Sequence, residues 1–260
     1  MIVEALLFSG SVIFGFVTLL FAVSILIKRN DIADIAWGPG IALASWSGWY
    51  AAGQPTDTTS LIVLTLVSVW ALRLGVRIWR KNLRKPGEDP RYKRWRDSWG
   101  KWFYLRSYLQ VFLLQGFLMV VLSLVATTVF AANNAAFLTT TTAIGAIVWL
   151  IGFVFEVVGD YQLDQFLKNP ENKGRLMRYG LWKYSRHPNY FGEVLMWWGL
   201  FIAFVFTPIG IATIVSPLLI TGLLLFVSGI PMAEKRFEGN PEFEEYKQKT
   251  SALIPLPPKE

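Results

Sequence analysis

Seven long apolar stretches, at residues 5–27, 35–52, 60–72, 107–131, 143–158, 190–206 and 217–232, alternate with polar segments along the chain. Read as helices, the shorter ones take a flanking turn to reach the roughly 20 residues that cross a bilayer. All 25 Lys and Arg residues fall into four groups: Lys28 with Arg29, then Arg73 to Arg106, Lys168 to Arg186, and Lys235 to Lys259. The N-terminus and the segments 53–59, 132–142 and 207–216 hold none. Cytoplasmic loops carry the excess of basic residues, so this alternation predicts an all-α protein with seven transmembrane helices. The N-terminus is then outside and the C-terminus cytoplasmic. The first stretch lacks a basic leader and is too long for a typical signal peptide.

Composition agrees: 53% of the 260 residues are hydrophobic and only 17% charged. The absence of cysteine excludes disulfides, thiolate catalysis and thiolate metal sites. The single histidine, His187, leaves no His-rich metal motif, so no metal is expected. The net charge of +7 does not point to nucleic acid, because the basic residues follow the loops.

Polar and ionisable side chains in or beside apolar helices are costly and therefore candidate functional groups. They are Asp31 and Asp34, Arg73 and Arg77, then Glu156, Asp160 and Asp164, Asn189 and Glu193, and Glu234. Under the predicted topology all lie in the cytoplasmic half, with only Glu4 and Asp57 outside. Glu156, Asp160 and Asp164 recur every four residues and share one helix face, as do Asn189 and Glu193. The expectation is a polar cavity open to the cytoplasm; the alternative is ordinary anchoring at helix ends.

Three polar segments complete the pattern. Residues 80–106 interleave cations with Trp95, Trp99 and Trp102, which suits an interface with anionic lipid, while Arg84 and Arg91 are candidates to cover the cavity. Residues 180–193, GLWKYSRHPNYFGE, lead through Lys183, Tyr184, Arg186 and His187 into Pro188, a helix-start signal. Cations at a positive helix end favour an anionic ligand. The tail predicts a short helix capped by Asn240, with Pro241 in its first turn. No repeat or linker stands out, so residues 1–260 are expected to form one domain.

The run 180–193, the preceding DYQLDQFLKNPENKGRLMRYG and the tail AEKRFEGNPEFEEYKQKTSALIPLPP together resemble the steroid 5-alpha-reductase family. The nearest part is its bacterial membrane branch, which is related to sterol C14-reductases. DIADIAWGPG, WALRLGVRIWR and GEDPRY in the N-terminal half are similar to that branch too. The resemblance implies a monomeric, multi-pass enzyme of the bacterial inner membrane, with its cofactor part within residues 107–260. It also implies NADPH-dependent saturation of a carbon–carbon double bond conjugated to a ketone in a lipophilic, steroid-like enone. Asp160, Arg175 and Asn189 fall on family cofactor positions, Tyr184 and Glu193 lie in the signature run, and Lys168 stands one place from an expected Arg. Arg236 and Tyr246 match after a one-residue gap, and Arg178, Arg186 and His187 complete the expected cofactor set. The Glu and Tyr that grip the substrate ketone in animal members correspond here to Asp34 and Trp70, a change that removes a phenol. Asp34 is the candidate to polarise the ketone as a buried carboxylic acid; its alternative role is a helix-start carboxylate paired with Lys28 or Arg29.

Two other readings stay open. An RHP-x-Y-x-G run also occurs in isoprenylcysteine carboxyl and phospholipid N-methyltransferases, where it helps bind S-adenosylmethionine. A seven-helix receptor or scaffold would use only the basic surface.

Overall fold

A computed structural model describes residues 1–83, 87–131, 140–205 and 209–259. Arg84, and residue 206 at the end of the sixth apolar stretch, lie outside the described residues. Among the described residues there is no β-strand; a lone bridge joins Ser185 and Ser251. The chain divides into two compact units, Met1–Leu138 with Phe206–Thr213, and Thr139–Val205 with Ile214–Glu260.

In the first unit, α1 (Ile2–Ile27) ends as Lys28 takes a left-handed conformation, φ 56°, and returns its N–H to the Ser24 carbonyl. A single turn, α2 (Ile32–Ile35), leads into α3 (Trp37–Ala51), followed by α4 (Thr58–Leu83). Next come α5 (Pro90–Trp99), the short α6 (Phe103–Arg106), a π-helical segment Ser107–Leu113 and α7 (Leu114–Ala131). α3 packs against α1, α4 and α7. Small residues permit this: a Cβ on Gly48 would lie 2.7 Å from the Thr127 hydroxyl, and one on Gly116 would lie 3.1 Å from Val17. Ile13, Val17, Ala44, Val111 and Phe112 form the core there.

The second unit is organised by α8 (Thr140–Lys168) and α9 (Pro188–Phe204). Their glycines recur at seven-residue intervals, Gly145, Gly152 and Gly159 against Gly192 and Gly199. A Cβ on Gly152 would lie 2.6 Å from the Gly192 carbonyl oxygen, and one on Gly199 would lie 2.7 Å from the Gly145 oxygen. Only glycine lets the backbones meet so closely. In lipid, where water drives no helix association, such van der Waals contact is a main source of helix pairing. α10 (Val215–Gly222), a π-helical turn Leu223–Val227, α11 (Ile230–Glu234) and α12 (Pro241–Lys249) follow.

Among the described residues, five stretches are long and apolar enough to cross a membrane: Ile2–Ile27, Thr58–Lys81, Pro90–Ala131, Thr140–Lys168 and Gly210–Phe237. The other two predicted spans are shorter helices, α3 with 15 residues and α9 with 17. At 1.5 Å per residue, 15 residues reach about 22 Å, less than the ~30 Å of hydrocarbon. The stretch at 217–232 is not one continuous helix, because it breaks at Ser228 and Gly229.

Candidate functional site

Each unit holds a polar cluster. In the second, Pro188 opens α9 as its sequence foretells, with His187 just before it. This places Asn189 in the first turn, where its Nδ2 donates to Asp160 Oδ1 on α8 at 3.1 Å. The Asn189 Oδ1 is buried and accepts no hydrogen bond among the described residues. Glu156, Asp160 and Glu193 are buried around the same seam. Asp164, one turn further along α8, is exposed and does not extend the buried face.

The approach to α9 is held by a second set of bonds. Gly180 adopts φ 59° against the Gln162 side chain, which accepts the Leu181 N–H at 2.9 Å. Trp182 Nε1 donates to the Gly159 carbonyl at 3.0 Å, while the Trp182 carbonyl accepts the Tyr246 hydroxyl. Arg186 is buried. Its Nε donates to Glu234 at 2.8 Å, and its Nη1 donates to the Thr250 and Lys247 carbonyls at 2.6 and 3.2 Å. His187 Nε2 lies 2.9 Å from the same Glu234 oxygen, and its ring stacks on Tyr190. Burial lowers the His187 pKa below its ordinary value, against the opposing pull of Glu234. Burial likewise raises that of the Tyr246 phenol. Arg186, His187 and Tyr246 therefore act inside the protein, fastening the tail to the run 180–193.

The remaining expected cofactor residues present charge outward. Lys168, Arg175, Tyr184 and Arg236 are exposed. Arg178 pairs with Glu242 at 2.6 Å, and both are partly exposed. α12 starts as foreseen, with Asn240 accepting from the Glu242 and Phe243 N–H groups.

In the first unit, carboxylates bind the segment after α1 to the start of α5. Asp31, 1% exposed, takes a two-pronged bond from Arg29 at 3.0 and 2.8 Å. Glu88 receives the Asn30 N–H at 2.7 Å and is gripped by Arg96 at 3.0 Å. Asp34 accepts Arg91 Nη2 at 2.6 Å on one oxygen and the Tyr92 hydroxyl at 2.7 Å on the other. The expected pairing of Asp34 with Lys28 or Arg29 is thus corrected: Arg29 has Asp31 two residues away, and Asp34 meets Arg91. Both Asp34 oxygens are acceptors, one from Arg91 and the other from the buried Tyr92 phenol. The Gln115 Oε1 is buried with no partner among the described residues. Sequence reasoning quoted GEDPRY but gave Tyr92 no role, and it missed Gln115. Trp70 is buried on α4. No cluster of three or more His, Asp or Glu able to hold a metal occurs among the described residues.

The described residues are all-helical, and several of their helices are apolar and long enough to cross a membrane, which is compatible with a multi-pass membrane protein. Residues 20–250 match the family described as "Protein of unknown function (DUF1295)", and the chain belongs to that family. The chain is also similar to 3-oxo-5-alpha-steroid 4-dehydrogenase 1 of Bos taurus, 37% identical over 59 residues, which cover 23% of this chain and 23% of the bovine protein. That similarity bears out the resemblance to the steroid 5-alpha-reductase family read from the motifs. No solved structure matches the chain.

Proposed function

We propose that the protein is an integral-membrane reductase that uses NADPH to saturate a carbon–carbon double bond conjugated to a ketone in a lipophilic substrate, with 3-oxo-4-ene steroids the nearest candidates. The observation that carries this reading is the Asp160–Asn189 pair with its buried, unpartnered Asn189 oxygen. A buried acceptor left unbonded is costly unless a ligand donor meets it, and a carboxamide or ribose hydroxyl is such a donor. The residues therefore fit a dinucleotide. Asp160, Asn189 and Glu193 would hold its polar groups, and the outward cations Lys168, Arg175, Arg178 and Arg236 would face its phosphates.

NADPH, when bound, supplies the hydride. The chain's task is to polarise the ketone, so that charge developing on its oxygen is stabilised while the adjacent carbon takes a proton. Tyr92 is the candidate donor: its one proton is given to Asp34 here and would turn to the ketone oxygen when substrate binds, with Asp34 held in place by Arg91. Trp70 lines the same helix set as a buried apolar wall. The reading includes seven spans with a cytoplasmic C-terminus, a single catalytic domain whose cofactor part lies within 107–260, a bacterial inner-membrane location and a monomeric state.

The test incubates membranes containing the protein with NADPH and a panel of lipophilic enones and looks for products heavier by two hydrogens. Tyr92→Phe should lower turnover about 100-fold while leaving NADPH affinity unchanged, and Asn189→Ala should weaken NADPH binding. Competition by S-adenosylmethionine, with no reduced product, would transfer the protein to the methyltransferase reading.

A further inference from the structure

The inner side of α5 is committed to the polar cluster. Arg91 and Tyr92 hold Asp34, Arg96 holds Glu88, and the Arg96 guanidinium lies 4.1 Å above the Phe103 ring. These bonds fix how the helix is turned, and so fix what its other side presents. Lys93 and Arg94 point outward there, joined beyond the helix by Lys101 and Arg106, and all four are exposed. None of the four forms an ion pair with another described residue. The only acid exposed among them is Asp97.

Large apolar side chains are exposed beside these cations. Trp95 is 39% exposed, Trp102 54%, Tyr104 55% and Leu105 51%. In water such a set would be a liability. Here it lies at the head of the helical stretch Pro90–Ala131, which is long and apolar enough to enter a membrane. Trp and Tyr settle where headgroups meet acyl chains, and juxtamembrane cations are drawn to anionic lipid.

We infer that residues 93–106 form a docking surface for anionic phospholipid headgroups, with Lys93, Arg94, Lys101 and Arg106 on the phosphates and Trp102 and Tyr104 among the glycerol and upper acyl groups. A free phosphate would use the cations but leave the rings bare. A single-stranded nucleic acid would need those rings away from the bilayer, yet they stand where the chain enters it. The surface is the outer side of the element that brings Arg91 and Tyr92 to Asp34, so bound lipid also steadies that contact.

The experiment places the full chain in phosphatidylcholine nanodiscs containing a fixed minor fraction of brominated phosphatidylglycerol, or the same fraction of brominated phosphatidylcholine. Tryptophan quenching should be stronger with the brominated anionic lipid, and the excess should shrink in Trp102→Phe, which removes a reporter. Replacing Lys93, Arg94, Lys101 and Arg106 by Gln should abolish the excess, at about fivefold less enrichment per cation removed. If that variant does not fold by circular dichroism, Lys101→Gln with Arg106→Gln should still lower the excess. Equal quenching by the two lipids, or an excess untouched by these substitutions, overturns the inference. An excess erased by inorganic phosphate at constant ionic strength overturns it as well. The readout is lipid proximity, so it does not depend on the NADPH assignment.

Discussion

The two units are held together in opposite ways. In the second, α8 and α9 come into backbone contact along glycines spaced by seven. In the first, segments nearly sixty residues apart are joined by the Arg91–Asp34 pair and by the Asn30 N–H to Glu88 and Asp89 N–H to Asp31 bonds, with Arg29 and Arg96 holding Asp31 and Glu88 locally; the three guanidinium sides are about one-third exposed. A glycine seam sets one distance and allows no other. Ion pairs contribute little net stability but fix which groups sit together. Under the proposed function, the contrast suits a rigid seat for the cofactor and a positioned proton donor for the substrate.

The contrast can be broken first at Glu234. Glu234→Ala removes the counter-charge of the buried Arg186, and should cost about 4 kcal/mol in thermal unfolding followed by circular dichroism in detergent. Glu88→Gln in the first unit leaves Arg96 within reach of water and should cost only about 1 kcal/mol. Equal losses would erase the distinction. Next, Gly152→Leu should cost about 3 kcal/mol by forcing the backbones apart. Gly48→Ala should cost less, because Thr127 is a side chain that can turn; a reversed order would remove the rigid seam from the account.

Acid should act on the second unit through His187. Its burial, beside Glu234, Arg186 and Arg236, holds the folded pKa below the ordinary 6.5, so the unfolded chain binds the extra proton between the two values. This contribution is whole above pH 6.5 and is lost as pH falls below it, with a slope of at most about 1.4 kcal/mol per pH unit. His187→Gln should flatten that slope, and an unchanged slope would reject the assignment. The smallest effect is expected from salt. Raising it should speed amide exchange at residues 88–96, where the pairs are partly solvated, and leave residues 145–160 unchanged.

What was legible in the sequence followed local rules. Asn240 before Pro241, and Pro188 after a polar run, mark helix starts through unpaired N–H groups that any helix must satisfy. Apolar runs announced helices but not their lengths. α3 and α9 are shorter than the composition of their surroundings implies, and the π-helical turns at 107–113 and 223–227 depend on backbone register, which no hydrophobic pattern encodes. The Asp160–Asn189 contact was within reach because both positions carried a family resemblance. Asp34 was singled out as the candidate to polarise the ketone, yet its partner Arg91 stands 57 residues away and no spacing rule links them. The sevenfold glycine spacing was visible in the sequence, but its meaning needed two helices read side by side.

The ties around residues 184–187 carry one more consequence. Ser185 donates to the Leu253 carbonyl, the Tyr184 carbonyl accepts the Leu256 N–H, and Arg186 reaches the Thr250 carbonyl. Translation delivers these partners more than sixty positions later, so the signature run stays unanchored until they leave the ribosome. This half of the molecule consequently matures only after synthesis passes residue 256, and a stalled nascent chain ending at 240 would present residues 180–193 unfastened to proteases.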